Sequence, residues 1–145
     1  MILNEDNLIR NGRILIADDD LFYRRLLTNF LMGERFSVTA VSGTTEAGIC
    51  LTREDFDLCV FDFFLPGGSL KSIVERINRS ARYTPFIIMT GDESCETERE
   101  ARSLGPVFFF VKPFSLNDFA SVIKEVIGRS AGMVAARPEW SVHHE

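Results

Sequence analysis

Five short apolar runs, at residues 14–17, 37–41, 58–61, 86–89 and 107–111, constrain the fold of this chain more than any other feature. Most are apolar throughout instead of alternating with polar residues, which is the pattern of strands buried on both faces of a parallel sheet. Stripes at helical spacing lie between them. The clearest is Leu116, Phe119, Ala120, Ile123, Val126 and Ile127, with Ser115 as its cap and Asp118 three residues on. A second stripe, Leu70, Ile73, Val74 and Ile77, follows a cap at Ser69, and a third places Leu27, Phe30 and Leu31 after Phe22 and Leu26. Two helices are weaker: residues 45–54 bury only Ala47, Ile49, Cys50 and Leu51, and the mostly charged residues 93–103 are anchored by Ala101 and Leu104. Strand and helix thus alternate five times, which predicts a doubly wound α/β domain: a five-stranded parallel sheet with right-handed crossovers and helices on both faces.

A chain of 145 residues, 46% apolar and 26% charged, fits one such domain and needs no disulfide or structural metal to hold its core. Residues 1–12 read as a polar lead, 13–128 as the domain, and 129–145 as a loose or partner-dependent tail that contains Pro138 and the lone Trp140. Sixteen Lys plus Arg against twenty-one Asp plus Glu give a net charge of −5 with no basic block, so nucleic-acid binding by this chain is not expected. Cys50, Cys59 and Cys95 are odd in number and form no C-x-x-C pair, which argues against disulfides or zinc and for a reducing cytoplasmic setting. The first residues carry acids where a secretory signal carries bases, and no apolar run reaches the ~18 residues of a membrane span.

In an open parallel sheet, ligands bind beyond the carboxyl ends of the strands, where the strand order reverses. The residues following the runs carry chemistry in four cases of five: Asp18-Asp19-Asp20, then Asp62, Thr90 and Lys112, while the second strand ends blandly at Ser42-Gly43. With the order 2-1-3-4-5, the acidic cluster faces Asp62 across the crevice, with Thr90 and Lys112 alongside. Asp20, directly ahead of Leu21, reads as a helix cap; one cap does not explain Asp18 and Asp19 as well. Converging carboxylates repel unless a cation compensates them, and an all-oxygen set suits Mg²⁺, which keeps waters and leaves room for a phosphate. A carboxylate can also act as nucleophile toward phosphorus, with lysine and a hydroxyl stabilising the phosphoryl oxygens. The constellation reads as a phosphoryl-accepting aspartate with a metal.

Residues 12–128 resemble the receiver domain of two-component response regulators. The matching segments are Ile14-Leu15-Ile16-Ala17-Asp18-Asp19-Asp20, Val60-Phe61-Asp62-Phe63-Phe64-Leu65-Pro66-Gly67, Phe86-Ile87-Ile88-Met89-Thr90-Gly91 and Phe110-Val111-Lys112-Pro113-Phe114. The resemblance implies a flavodoxin-like fold of strand order 2-1-3-4-5 and a phosphoprotein rather than an enzyme, acting on itself only to assist phosphotransfer and slow dephosphorylation. It implies that a histidine kinase or phosphotransfer protein phosphorylates Asp62. Asp19, Asp62 and the Phe64 carbonyl would ligate Mg²⁺, with Asp18 acting through water, and Thr90 and Lys112 would hold the phosphoryl oxygens. It further implies a cis Lys112-Pro113 bond and a switch in which Phe109 swings inward as Thr90 moves. The output surface would be the fourth helix, fifth strand and fifth helix, meeting a downstream protein or a second copy. Residues 92–102 there carry five acids and two bases.

Departures from the family pattern are Gly91 in place of the usual alanine, Gly105-Pro106 in place of Gly-Ala, and Phe109 without a tyrosine hydroxyl. None removes a chemical group from the site, so a competent receiver is expected. Two residues after Asp62 and Thr90 stand Phe64 and Asp92, positions that by the resemblance flank the path of the water that hydrolyses the acyl phosphate. Phenylalanine cannot orient that water, which predicts slow self-dephosphorylation. The alternatives are a vestigial receiver serving as an interaction module and a flavodoxin-like FMN carrier. The second needs a phosphate loop where this chain has three aspartates.

Overall fold

The computed structural model describes residues 11–131. Its elements alternate as expected: β1 (Gly12–Ala17), α1 (Leu21–Gly33), β2 (Phe36–Val41), α2 (Thr44–Arg53), β3 (Leu58–Asp62), α3 (Leu70–Arg79), β4 (Phe86–Thr90), α4 (Cys95–Ser103), β5 (Phe108–Val111) and α5 (Leu116–Ala131). The strands form one sheet in the order β2-β1-β3-β4-β5, and every neighbouring pair is parallel.

The uniformly apolar runs are explained by two cores, one on each face of the sheet. Ile14 and Ile16 of β1 point into a layer with Leu27 and Leu31 of α1 and Phe119 and Ile123 of α5. Leu15 and Ala17 point the other way, into a layer with Ala47, Ile73, Val74 and Ala101 from α2, α3 and α4. All four β1 residues are fully buried, so a polar residue at any of them would be left without water.

The expected caps are present. Asp20 accepts from the backbone N–H of Phe22 and Tyr23, Ser69 from Lys71, and Ser115 from Asp118. Some boundaries shift. The helix read at 93–103 begins at Cys95, because Ser94 is the cap and accepts from the Thr97 N–H. α5 continues beyond residue 128 to Ala131, so the domain extends into the segment read as tail. Gly128 and Arg129 are exposed, and Arg129 pairs with Glu125 at i,i+4, so apolar periodicity fades before the helix does. At the other end, Asn11 already donates its backbone N–H to Arg35 and β1 starts at Gly12, which takes both residues out of the lead. Trp140 and Pro138 lie outside the described residues.

The three cysteines are free. Burial pushes the Cys59 thiol far above its usual range, which makes it an inert core residue. Among the described residues no helix is long and apolar enough to cross a membrane.

Candidate functional site

The strand register sets the site. Ala17 pairs with Phe61, Asp62 with Met89 and Thr90 with Val111, so β1, β3, β4 and β5 end at one edge of the sheet. Their next residues therefore emerge side by side. The backbone fixes each exit: Asp18 N–H donates to Val41 O, Phe63 N–H to Met89 O, and Lys112 N–H to Thr90 O at 2.7 Å. The Lys112-Pro113 peptide is cis.

The sequence placed Asp18, Asp62 and Lys112 at one point, and the structure brings them into contact. Lys112 Nζ donates to Asp18 Oδ2 at 2.9 Å and to Asp62 Oδ2 at 2.7 Å. The remaining oxygens are also partnered: Asp18 Oδ1 accepts from Asp20 N–H and Asp62 Oδ1 from Phe64 N–H, each at 2.9 Å. Asp18 is fully buried and Asp62 is 7% exposed, whereas Asp19 is exposed. Burial pushes the Asp18 carboxyl above its ordinary value and the neighbouring Asp62 charge adds to this, against the hydrogen bonds from Lys112 and Asp20. Burial alone would depress the Lys112 ammonium, but its bonds to Asp62 and Asp18 outweigh that and hold it above its usual value.

Asp18, Asp19 and Asp62 each offer an oxygen, and these atoms lie within 4.8 Å of one another. Against one ammonium, the three carboxylates leave formal negative charge uncompensated. Oxygen donors with excess negative charge fit a hard divalent cation.

Thr90 is fully buried, and its Oγ1 accepts from Asp92 N–H at 3.0 Å. Phe64 contributes its backbone to the site while its ring is 56% exposed and stands edge-on to Phe63. Asp20 remains a cap. Phe109 does not reach the acidic cluster; it is already buried in the core beside Ala101, with the Arg102 guanidinium 5.5 Å from its ring centre.

Three contributors escaped the sequence reading. Tyr23 presents its ring to Lys112 Nζ at 4.4 Å, Arg24 donates to the Asp18 carbonyl, and Thr97 donates its hydroxyl to Asp92 Oδ2 at 2.6 Å. Tyr23 was discoverable, since it falls one turn after the Asp20 cap on the helix leaving the site. The Thr97 hydroxyl, together with the Ser94 N–H and hydroxyl, holds the exposed Asp92 carboxyl below its ordinary value.

A family model described as the response regulator receiver domain matches residues 14–124. The chain is similar to regulatory protein VirG of Agrobacterium tumefaciens (strain 15955), 33% identical over 129 residues that make up 88% of this chain and 48% of VirG. It is also similar to response regulator protein PilR of Pseudomonas aeruginosa, 32% identical over 111 residues, 77% of this chain and 25% of PilR. The chain therefore spans about half of the first relative and a quarter of the second. Among solved structures, a CheY-like response regulator receiver domain protein from Methanospirillum hungatei JF-1 superimposes with a TM-score of 0.75 at 26% identity, covering 83% of this chain and 96% of that one. The non-phosphorylated HemR receiver domain from Leptospira biflexa gives 0.71 at 28% identity, covering 88% and 98%.

The buried pairing predicts a measurable cost. Replacing Lys112 by Met leaves two carboxylates facing each other without their cation, and urea unfolding at neutral pH without divalent ions should show a loss of about 3 kcal/mol. Unchanged stability would contradict the pairing.

Proposed function

Because this chain belongs to the response regulator receiver family, we propose that Asp62 is its phosphoacceptor, taking a phosphoryl group from a histidine kinase or phosphotransfer protein. The observation that carries this reading is the bridge from Lys112 to Asp18 and Asp62, which holds a lysine against a carboxylate at the strand ends.

In this reading an Asp62 oxygen attacks phosphorus in line and the donor's imidazole leaves. The Phe64 N–H on Oδ1 orients the carboxylate for that attack. Lys112, already 2.7 Å from Asp62 Oδ2, passes its hydrogen bond to a phosphoryl oxygen as the charge moves outward. Thr90 offers its hydroxyl to a second oxygen. Asp19, Asp62 and the Phe64 carbonyl would hold Mg²⁺, with Asp18 acting through water, and the ion would supply positive charge between the carboxylates and the incoming phosphoryl group. The chain is thus a signalling protein that assists its own phosphotransfer, and a cytoplasmic setting suits its free thiols.

The switch runs through Thr90 and Phe109 to the face made by α4, β5 and α5. That face carries a cavity of about 420 Å³ lined by Arg102, Phe108, Phe109, Val122, Val126 and Arg129, room for a side chain of a downstream protein or a second copy. Phe109 is already buried, so the inward swing of its ring is replaced in this reading by a shift of α4 over it. A phosphoryl group adds roughly −1.5 to −2 charges and three acceptor oxygens, enough to bias such a two-state element.

Incubation with acetyl phosphate and Mg²⁺ should add one phosphoryl group by intact mass; a shift that survives in Asp62→Asn would overturn the assignment. The acyl phosphate should also be long-lived, because Phe64 cannot orient water and Ser94 and Thr97 draw the Asp92 carboxylate toward the turn. Phe64→Asn should shorten its lifetime severalfold, and a lifetime unchanged or lengthened would show that Phe64 does not obstruct the water.

A further inference from the structure

The segment between β3 and α3, residues 63–69, leaves the sheet immediately after Asp62 and carries the Phe64 backbone. It contains Gly67 and Gly68 at φ +94° and +138°, residues that resist disorder poorly on their own. Its first part is tied to the site by Phe63 N–H on Met89 O and Phe64 N–H on Asp62. Its second part is held by the start of α2.

α2 begins at Gly43, which offers no side-chain cap for the first-turn N–H groups. The loop supplies the missing acceptor. Thr44 donates both its backbone N–H, at 3.0 Å, and its hydroxyl, at 3.2 Å, to the Pro66 carbonyl, and the Thr45 hydroxyl donates to Gly67 O at 3.2 Å. Helix and loop cap each other. The fit leaves no slack: a Cβ on Gly43 would lie 2.9 Å from Pro66 O, and one on Gly67 would lie 3.2 Å from both threonine hydroxyls. Thr44 is 3% exposed, so water does not compete for its bonds.

We infer that Thr44 is a positioning residue for the divalent cation, acting through the Pro66 carbonyl to hold the Phe64 backbone in the place the acidic cluster requires. The inference rests on the proposed Mg²⁺-dependent phosphoacceptor site. Thr44 touches neither cation nor phosphoryl group. Its effect arises because Mg²⁺ demands near-octahedral geometry, so a loop free to shift weakens the site without removing a ligand. Groups bonded directly to a ligand are worth about tenfold or more in metal affinity, and Thr44, one link further out, sets the low end of that scale.

The test is calorimetric titration of the full chain with MgCl₂, comparing wild type, Thr44→Val and Thr44→Ser. Valine keeps the buried volume and loses the donor hydroxyl. Its affinity should fall roughly tenfold, serine should restore it, and the phosphorylation rate from acetyl phosphate should return to the wild-type level at saturating Mg²⁺. Wild-type affinity in folded Thr44→Val overturns the inference, as does a serine variant as impaired as valine. Should Thr44→Val not fold, Thr45→Val, at an exposed position that makes a single bond, should weaken Mg²⁺ in the same direction; no change overturns the inference. A wild type that binds no Mg²⁺ overturns the proposed Mg²⁺-dependent site and this inference with it, whereas a wild type that binds Mg²⁺ beside an unimpaired Thr44→Val overturns this inference alone.

Discussion

One buried ammonium organises this molecule. Lys112 lies between Asp18 and Asp62, carboxylates that could not otherwise share a dry site. The arrangement demands that β1, β3 and β5 end at one edge in register, and the Lys112 N–H on Thr90 O sets the last of these exits. The same bridge gives Asp62 one oxygen on the ammonium and one on a backbone N–H, so under the proposed function an incoming phosphoryl group would find its charge partner in place.

Two apolar layers hold the strands in that register, and they are unequal. α1 and α5 bring Leu27, Leu31, Phe119 and Ile123 to one face, all fully buried. On the other, α4 contributes little beyond Ala101 and Thr97, and its start is held by the hydrogen bonds of Asp92, Ser94 and Thr97. A helix anchored by polar bonds at one end is the element most readily displaced. Its turn begins at Thr90, through the Asp92 N–H on the threonine hydroxyl, so this sparsely anchored helix is joined directly to the site.

Much of this was legible in the sequence because the signals were local. Strands buried on both faces are apolar throughout, and in a parallel sheet their ends must converge, so Asp18, Asp62, Thr90 and Lys112 could be placed together before any coordinates. What was not legible depends on contacts between distant segments or on polar bonds within a turn. Thr44 meets Pro66 across 22 residues, and neither position carries a pattern that announces the other. The sequence puts Asp92 two places after Thr90 but does not announce that Ser94 and Thr97 donate to it. The last turn of α5 escaped because a surface ion pair sustains it where apolar spacing has ended.

Under the proposed function, chemistry occurs on Asp62 and not on its acidic neighbours. Borohydride cleaves an acyl phosphate to an alcohol, so treating the protein after incubation with acetyl phosphate and Mg²⁺, followed by peptide sequencing, locates the modified carboxylate. Conversion to homoserine at position 62 alone is the predicted result. Conversion at Asp18 or Asp19, or at none of the three, would contradict the account.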